Sequence, residues 1–140
     1  MPEKEQIGKF FVEELKIIQD IIKRMAFNSF MIKGWAVTLV VVTLLLKGAK
    51  YQVLIAFIPL MVFWFLDAYF LQQEKLYREL YKWVVENRLK TADYLFDMNA
   101  YRYKDNVQSR LRIMFSITLW WFYGCVGFLT AVYALMLFCA

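Results

Sequence analysis

From Ile113 to Cys139 the sequence IMFSITLWWFYGCVGFLTAVYALMLFC carries no Asp, Glu, Lys or Arg. A bilayer core needs roughly 20 apolar residues per helix, and this run exceeds that length, leaving room for tilt or projection. Tyr51 to Leu71 (YQVLIAFIPLMVFWFLDAYFL) is a second run of full length. Gly34 to Leu46 (GWAVTLVVVTLLL) is a third, and it must borrow Phe30, Met31 and Ile32 and enclose Lys33. A soluble bundle of unusually apolar helices is the competing interpretation. The chain is 61% hydrophobic and 19% aromatic, well above an ordinary soluble domain, and its last run has no ionisable group other than tyrosine and cysteine. The membrane interpretation is preferred.

The expected fold class is an all-α membrane protein, a single domain of three long helices running up-down-up. Each helix has a transmembrane half, and the domain has a cytoplasmic helical extension. The boundaries drawn are a cytoplasmic helix at 1–32, spans at 33–46, 51–71 and 113–139, and a cytoplasmic helical hairpin at 72–112. Orientation follows from charge. Lys4, Lys9, Lys16, Lys23 and Arg24 precede the first span, and nine further cations lie between Lys75 and Arg112. Loops rich in Lys and Arg stay in the cytoplasm, so the N-terminus is placed inside and the C-terminus outside, in a bacterial inner membrane. Trp35, Trp64, Trp120 and Trp121 fall in the cytoplasmic half under this arrangement, with Tyr51 and Phe138 at the other rim. No cleaved signal peptide is expected, because charges run through the first 24 residues.

The chain has no histidine, so zinc sites and general bases built on imidazole are absent. No Gly-rich phosphate loop, metal-ligand cluster or nucleophile–base pair is recognisable. The expectation is a protein that is not an enzyme and takes no cofactor. Cys125 and Cys139 sit on one expected helix about 21 Å apart in rise, too far to bridge each other.

Phe11, Leu15, Ile18, Ile22 and Met25 make an apolar stripe at 4-3-4-3 spacing. Such a helix can lie flat on lipid or run straight into the first span and pack against a partner. The partner follows from the turn. With Ala49 at its centre, an antiparallel hairpin pairs residue r with residue 98 − r. Ile22 then meets Leu76, Ile18 meets Leu80, and Leu15 meets Trp83, which form a matching stripe. The long hairpin is preferred. The chain then turns near 89–99, where Asp93 or Asn99 can cap the next helix. Val107, Leu111 and Met114 supply its apolar face, and Pro59 is expected to kink the second span.

The same register brings Lys33 and Asp67 to nearly the same depth. A charge facing lipid costs ~2.5–3.5 kcal/mol or more, so such groups are paired, interfacial or functional. As structure they fix the hairpin's register; as function they form a charged level or gate, with Thr38 and Thr43 as pore-facing hydroxyls. Gly124, Gly127, Thr130, Ala131 and Ala134 place small residues at helix-packing intervals in the third span. Arg78, Lys82, Arg88, Arg102 and Lys104, interleaved with aromatics, are candidates for an anionic ligand or lipid headgroups. Acidic neighbours dilute that field, which makes nucleic acid a poor partner.

The stretches FNSFMIKGWAVTLVVVTLLL, AFIPLMVFWFLDAYFLQQEKLYRELY and FDMNAYRYKDNV together resemble a family of small three-helix bacterial inner-membrane proteins. The resemblance is densest around Trp64, Asp67, Tyr69, Glu74 and Arg78, and it implies no established activity. More loosely, a membrane hairpin continued by cytoplasmic helices is similar to the SLATT-type membrane effectors of phage defence. That resemblance implies a pore opened by a signal, although this chain adds a third span and has no separate sensor domain.

The first functional expectation is therefore a homo-oligomeric pore, or a gate of one, acting as a depolarising defence effector. The alternative is a non-conducting scaffold that recruits a cytoplasmic partner through its projecting helices. Membrane lipids, further copies of the chain, and a cytoplasmic protein or anionic small-molecule trigger are the partners these readings imply.

Overall fold

A computed structural model describes residues 2–46 and 50–139, with side chains from Glu5 onward. The turn centre assigned to Ala49 lies outside the described residues. The first helix, α1 (Pro2–Leu45), runs unbroken for 44 residues, about 66 Å at 1.5 Å per residue. No proline falls inside it after Pro2. The chain returns through α2 (Gln52–Ile55) and α3 (Phe57–Asn87). These two helices are separated at Ala56, and Pro59 lies two residues into α3. Proline has no N–H to give the Ile55 carbonyl, so the expected distortion sits at the start of the second span.

Three helices are long and apolar enough to cross a membrane: Glu5–Leu45, Gln52–Asn87 and Ile117–Cys139. Their outward faces are apolar, with Phe30, Leu45, Trp121 and Ile117 each more than half exposed. A water-soluble surface rarely carries patches of that size. Lipid is the medium that suits them.

The molecule has two cores along one hairpin. The first joins Ala36 and Val40 of α1 to Leu60 and Ala68 of α3 and to Leu119 and Tyr123 of the last helix. The second lies beyond the apolar spans and gathers Ile18, Leu76, Leu80 and Val84, flanked by Leu15, Ile22 and Trp83. All six residues named by the 98 − r rule belong to this second cluster. The N-terminal stripe is therefore spent on α3, which leaves it unavailable to face headgroups as a flat surface helix would.

The return leg departs from expectation. The sequence predicts a third helix as long as the others, returning through 99–112. Instead the chain winds irregularly from Arg88, makes a 3-10 turn at Ala100–Asn106, passes through extended Val107, and forms the short helix α4 (Arg110–Met114). The apolar anchors of this leg, Met98, Ala100, Tyr103 and Val107, are spaced 2-3-4, which matches no single helical face. Asn99 precedes the 3-10 turn without a side-chain cap, and its own N–H donates to Asp97. The Asp93 N–H donates to Thr91 Oγ1 at 3.1 Å. Ser109 is the residue that caps, accepting the Arg112 N–H at 3.4 Å. Leu111 is exposed and Ile113 is buried in its place.

The last helix, α5 (Ile117–Cys139), begins four residues later than assigned. Phe115 and Ser116 break it from α4. The break coincides with a contact from the second span: the Trp64 indole N–H donates to the Met114 carbonyl at 2.9 Å, occupying an acceptor of the helical ladder.

Leu80→Ala should destabilise the extension by about 2–5 kcal/mol, as expected for removing a buried leucine side chain. Thermal unfolding followed by hydrogen exchange should show the loss in residues 8–25 and 73–87 before the spans respond.

Candidate functional site

Asp67 is fully buried, on the inner face of α3, four residues before the end of the apolar run at Leu71. That places it about 6 Å of helical rise inside the end of that run. Three side chains from two other helices donate to it. Lys33 Nζ lies 2.6 Å from Oδ2, Ser29 Oγ donates to Oδ1, and Tyr123 OH reaches Oδ2 at 3.1 Å. Lys33 also donates to Ser29 Oγ at 2.9 Å. Ser29 and Lys33 are one helical turn apart on α1, so both meet the same carboxylate. Tyr123 lies near the Phe63 carbonyl at 3.2 Å and stacks on Trp64 with ring centroids 5.9 Å apart. The expected Lys33–Asp67 pair thus exists, and it ties all three spans together. The carboxylate is enclosed, while the Lys33 side chain keeps about 22% of its surface exposed.

A second buried ion pair lies at the other end of the rod. Arg88 and Glu14 are each 1% exposed. Arg88 Nε and Nη2 donate to the two Glu14 oxygens at 2.6 and 2.7 Å. The remaining N–H groups reach the carbonyls of Thr91 (3.3 Å), Asp93 (2.6 Å) and Tyr94 (3.1 Å). All five guanidinium donors are used. Glu14 also accepts the Phe96 N–H at 3.3 Å. The loop they hold contains two non-glycine residues in left-handed backbone, Tyr94 (φ 59°) and Phe96 (φ 54°).

The other expected residues separate clearly. Thr38 and Thr43 turn their hydroxyls onto their own helix, donating to Gly34 and Leu39 carbonyls at 2.9 and 2.7 Å. Thr130 and Ala134 are buried, and Gly127 lies against Leu60 with room for ordinary contact. This part of the small-residue series packs α5 onto the hairpin. Gly124 is only half-buried, on a face with exposed Trp120, Trp121, Cys125 and Phe128, and Ala131 is half-buried.

Of the five cations assigned to an anion, Arg88 is internal, and Arg102 stacks over Tyr94 at 4.1 Å and faces Asp97 at 3.7 Å. Burial holds the neighbouring Tyr103 phenol above its ordinary value, partly opposed by Arg102. Lys104 is exposed. Arg78 and Lys82 line a surface groove with Lys23 and Lys75. No group of three or more metal-ligating side chains converges among the described residues.

Ser29, Tyr123 and Glu14 were not singled out from the sequence. Ser29 was within reach, because the hairpin rule sets residue 31 opposite Asp67 and residues 29 and 33 flank it equally. Glu14 also left a sign: at i+3 from Phe11 and i−4 from Ile18 it shares the apolar face beside Leu15, where a carboxylate needs a partner. Tyr123 carried no signal, since nothing local relates α5 to the hairpin's register.

These features define a three-helix bundle with two buried ion pairs, one at span depth and one in the extension. Comparison with protein-family models, curated proteins and solved structures finds no match to this chain.

Lys33→Met alone should cost about 3–5 kcal/mol, because Asp67 is then buried without its cation. Adding Asp67→Leu should recover part of that loss. Unfolding of the purified protein in graded SDS against a mild detergent distinguishes the single from the double variant.

Proposed function

We propose that the protein is a membrane-anchored helical adaptor of the bacterial inner membrane. Its spans hold it in lipid, and the α1–α3 rod carries the 89–98 loop to its cytoplasmic end as a preformed docking knob. The basic extension favours the cytoplasmic side. One observation carries the reading: a fully saturated buried arginine is devoted to holding a strained loop that presents apolar side chains to water. Leu89, Tyr94 and Leu95 are exposed there, while Phe96 packs edge-on against Phe10 at 5.8 Å. Left-handed backbone at residues other than glycine costs of order 1–3 kcal/mol each and clusters at binding and switch sites. A rigid apolar tip loses little entropy when it docks.

Pore formation, the other expectation, draws little support from within one chain. The Lys33–Asp67 charges face one another, and both threonine hydroxyls bond to their own helix. A conducting assembly would need several copies and would be lined by the present outer faces.

The test compares wild type with Leu95→Asp, a surface change, and with Arg88→Met, which releases the loop. A single polypeptide should be recovered with wild type at fixed stoichiometry and lost with either variant. Arg88→Met should also open residues 89–98 to limited proteolysis while the spans stay protected. The absence of such a partner with wild type, or ion flux from reconstituted liposomes, would overturn the adaptor reading in favour of a pore.

A further inference from the structure

A groove of about 790 Å3 runs along the outside of the hairpin just beyond the apolar spans, between α1, α3 and the 106–108 segment. Lys23, Lys75, Arg78 and Lys82 line it, with the amides Asn106 and Gln108 on the third side. Its volume lies within the range of small-ligand sites. Lys23 and Lys75 satisfy the hairpin rule together, so two like charges stand at one level on facing helices. That arrangement is unfavourable unless an anion neutralises it.

Internal carboxylates only partly do so. Glu79 lines the groove and pairs with Lys82 at 2.5 Å, and Arg78 pairs with Glu74 at 2.6 Å. Lys23 approaches Asp20 only to 4.0 Å, with both side chains about three-quarters exposed. The lining keeps an excess of positive charge. Surface pairs of this kind contribute little and exchange readily for a stronger partner.

Depth indicates the source of that partner. Lys75 lies about 6 Å of helical rise beyond Leu71, Arg78 about 10 Å and Lys82 about 16 Å. The headgroup layer of a bilayer is roughly 5–8 Å thick on each side. The lower mouth of the groove therefore opens at the level of lipid phosphates, and its upper end stands in water. Arg is suited to bidentate phosphate contact, Lys to point-charge contact.

We propose that the lower part of this groove binds an anion bearing at least two phosphates, seated at the Lys23/Lys75 level with Arg78 reaching down to it, and supplied by a lipid headgroup of the adjoining leaflet. The inference is independent of the adaptor reading, since neither the tip loop nor a protein partner enters it.

The experiment uses the full chain in nanodiscs of phosphatidylcholine mixed with either phosphatidylglycerol or cardiolipin at matched total charge. Native mass spectrometry reads the lipid retained on release. Wild type should keep one cardiolipin per chain in preference to phosphatidylglycerol. Lys23→Gln/Lys75→Gln should lower that retention by about tenfold or more, from loss of two cations at the surface. The charge-matched control Arg24→Gln/Arg112→Gln, exposed cations close to the spans but outside the groove, should retain it. Arg78→Gln/Lys82→Gln serves as a second groove variant should the first lose its wild-type melting temperature.

A parallel arm titrates inorganic pyrophosphate into protein held in phosphatidylcholine alone. Pyrophosphate binding that the groove variants abolish, with lipid retention unchanged across all variants, overturns the lipid source and assigns the site to a soluble phosphate ester. Equal losses in groove and control variants mean diffuse attraction by the basic face and overturn the site itself. So does the absence of both lipid preference and pyrophosphate binding.

Discussion

A carboxylate that cannot reach water sets the terms for the membrane half of this protein. Asp67 lies within the apolar run of the second span and is fully buried. At that depth an ionised group needs donors from its own chain. It draws two from α1 and one from α5, so the three helices must meet at one level. Apolar packing alone is a weak guide in lipid, where tails are as apolar as leucine. The cage supplies the address that packing lacks, and Tyr123, held between Asp67 and the Trp64 ring, brings α5 to it.

Outside the spans the same device appears with a different object. Glu14 and Arg88 link α1 to α3 near the distal end, but most of the guanidinium is directed at the loop carbonyls beyond Asn87. The hydrophobic cluster of Ile18, Leu76, Leu80 and Val84 already joins the helices there. Replacing such a pair by apolar residues is often neutral for stability. Its contribution is therefore better described by the shape it imposes on residues 88–96 than by the energy it adds.

The hairpin was legible because its two legs carry long, periodic stripes and a single turn position aligns them. The ion pair at Lys33 and Asp67 followed from that alignment. The Ser29–Asp67, Gln19–Tyr81 and Glu14–Arg88 contacts also lie within four residues of the rule. The region between Asn87 and Ile117 was not legible. Its structure depends on long-range partners, Glu14 fixing Arg88 over the loop and Trp64 donating to the Met114 carbonyl, which no local window contains. Arg88 was misread for the same reason: a cation among aromatics looks like a ligand site until the carboxylate 74 positions away is seen to meet it. Tyr123 was hidden because helix periodicity within α5 cannot say which face meets the hairpin.

The break at Phe115 and Ser116 has a mechanical corollary. Two rods cross-braced at Asp67 and again at Arg88, some 30 Å apart along α3, resist shear and behave as a single beam. The third span hangs from that beam by a joint in which one indole replaces a rung of the helical ladder. The bend is thereby confined to a few residues, and because Tyr123 pins α5 to the beam just past it, the last span leaves the joint at one set angle.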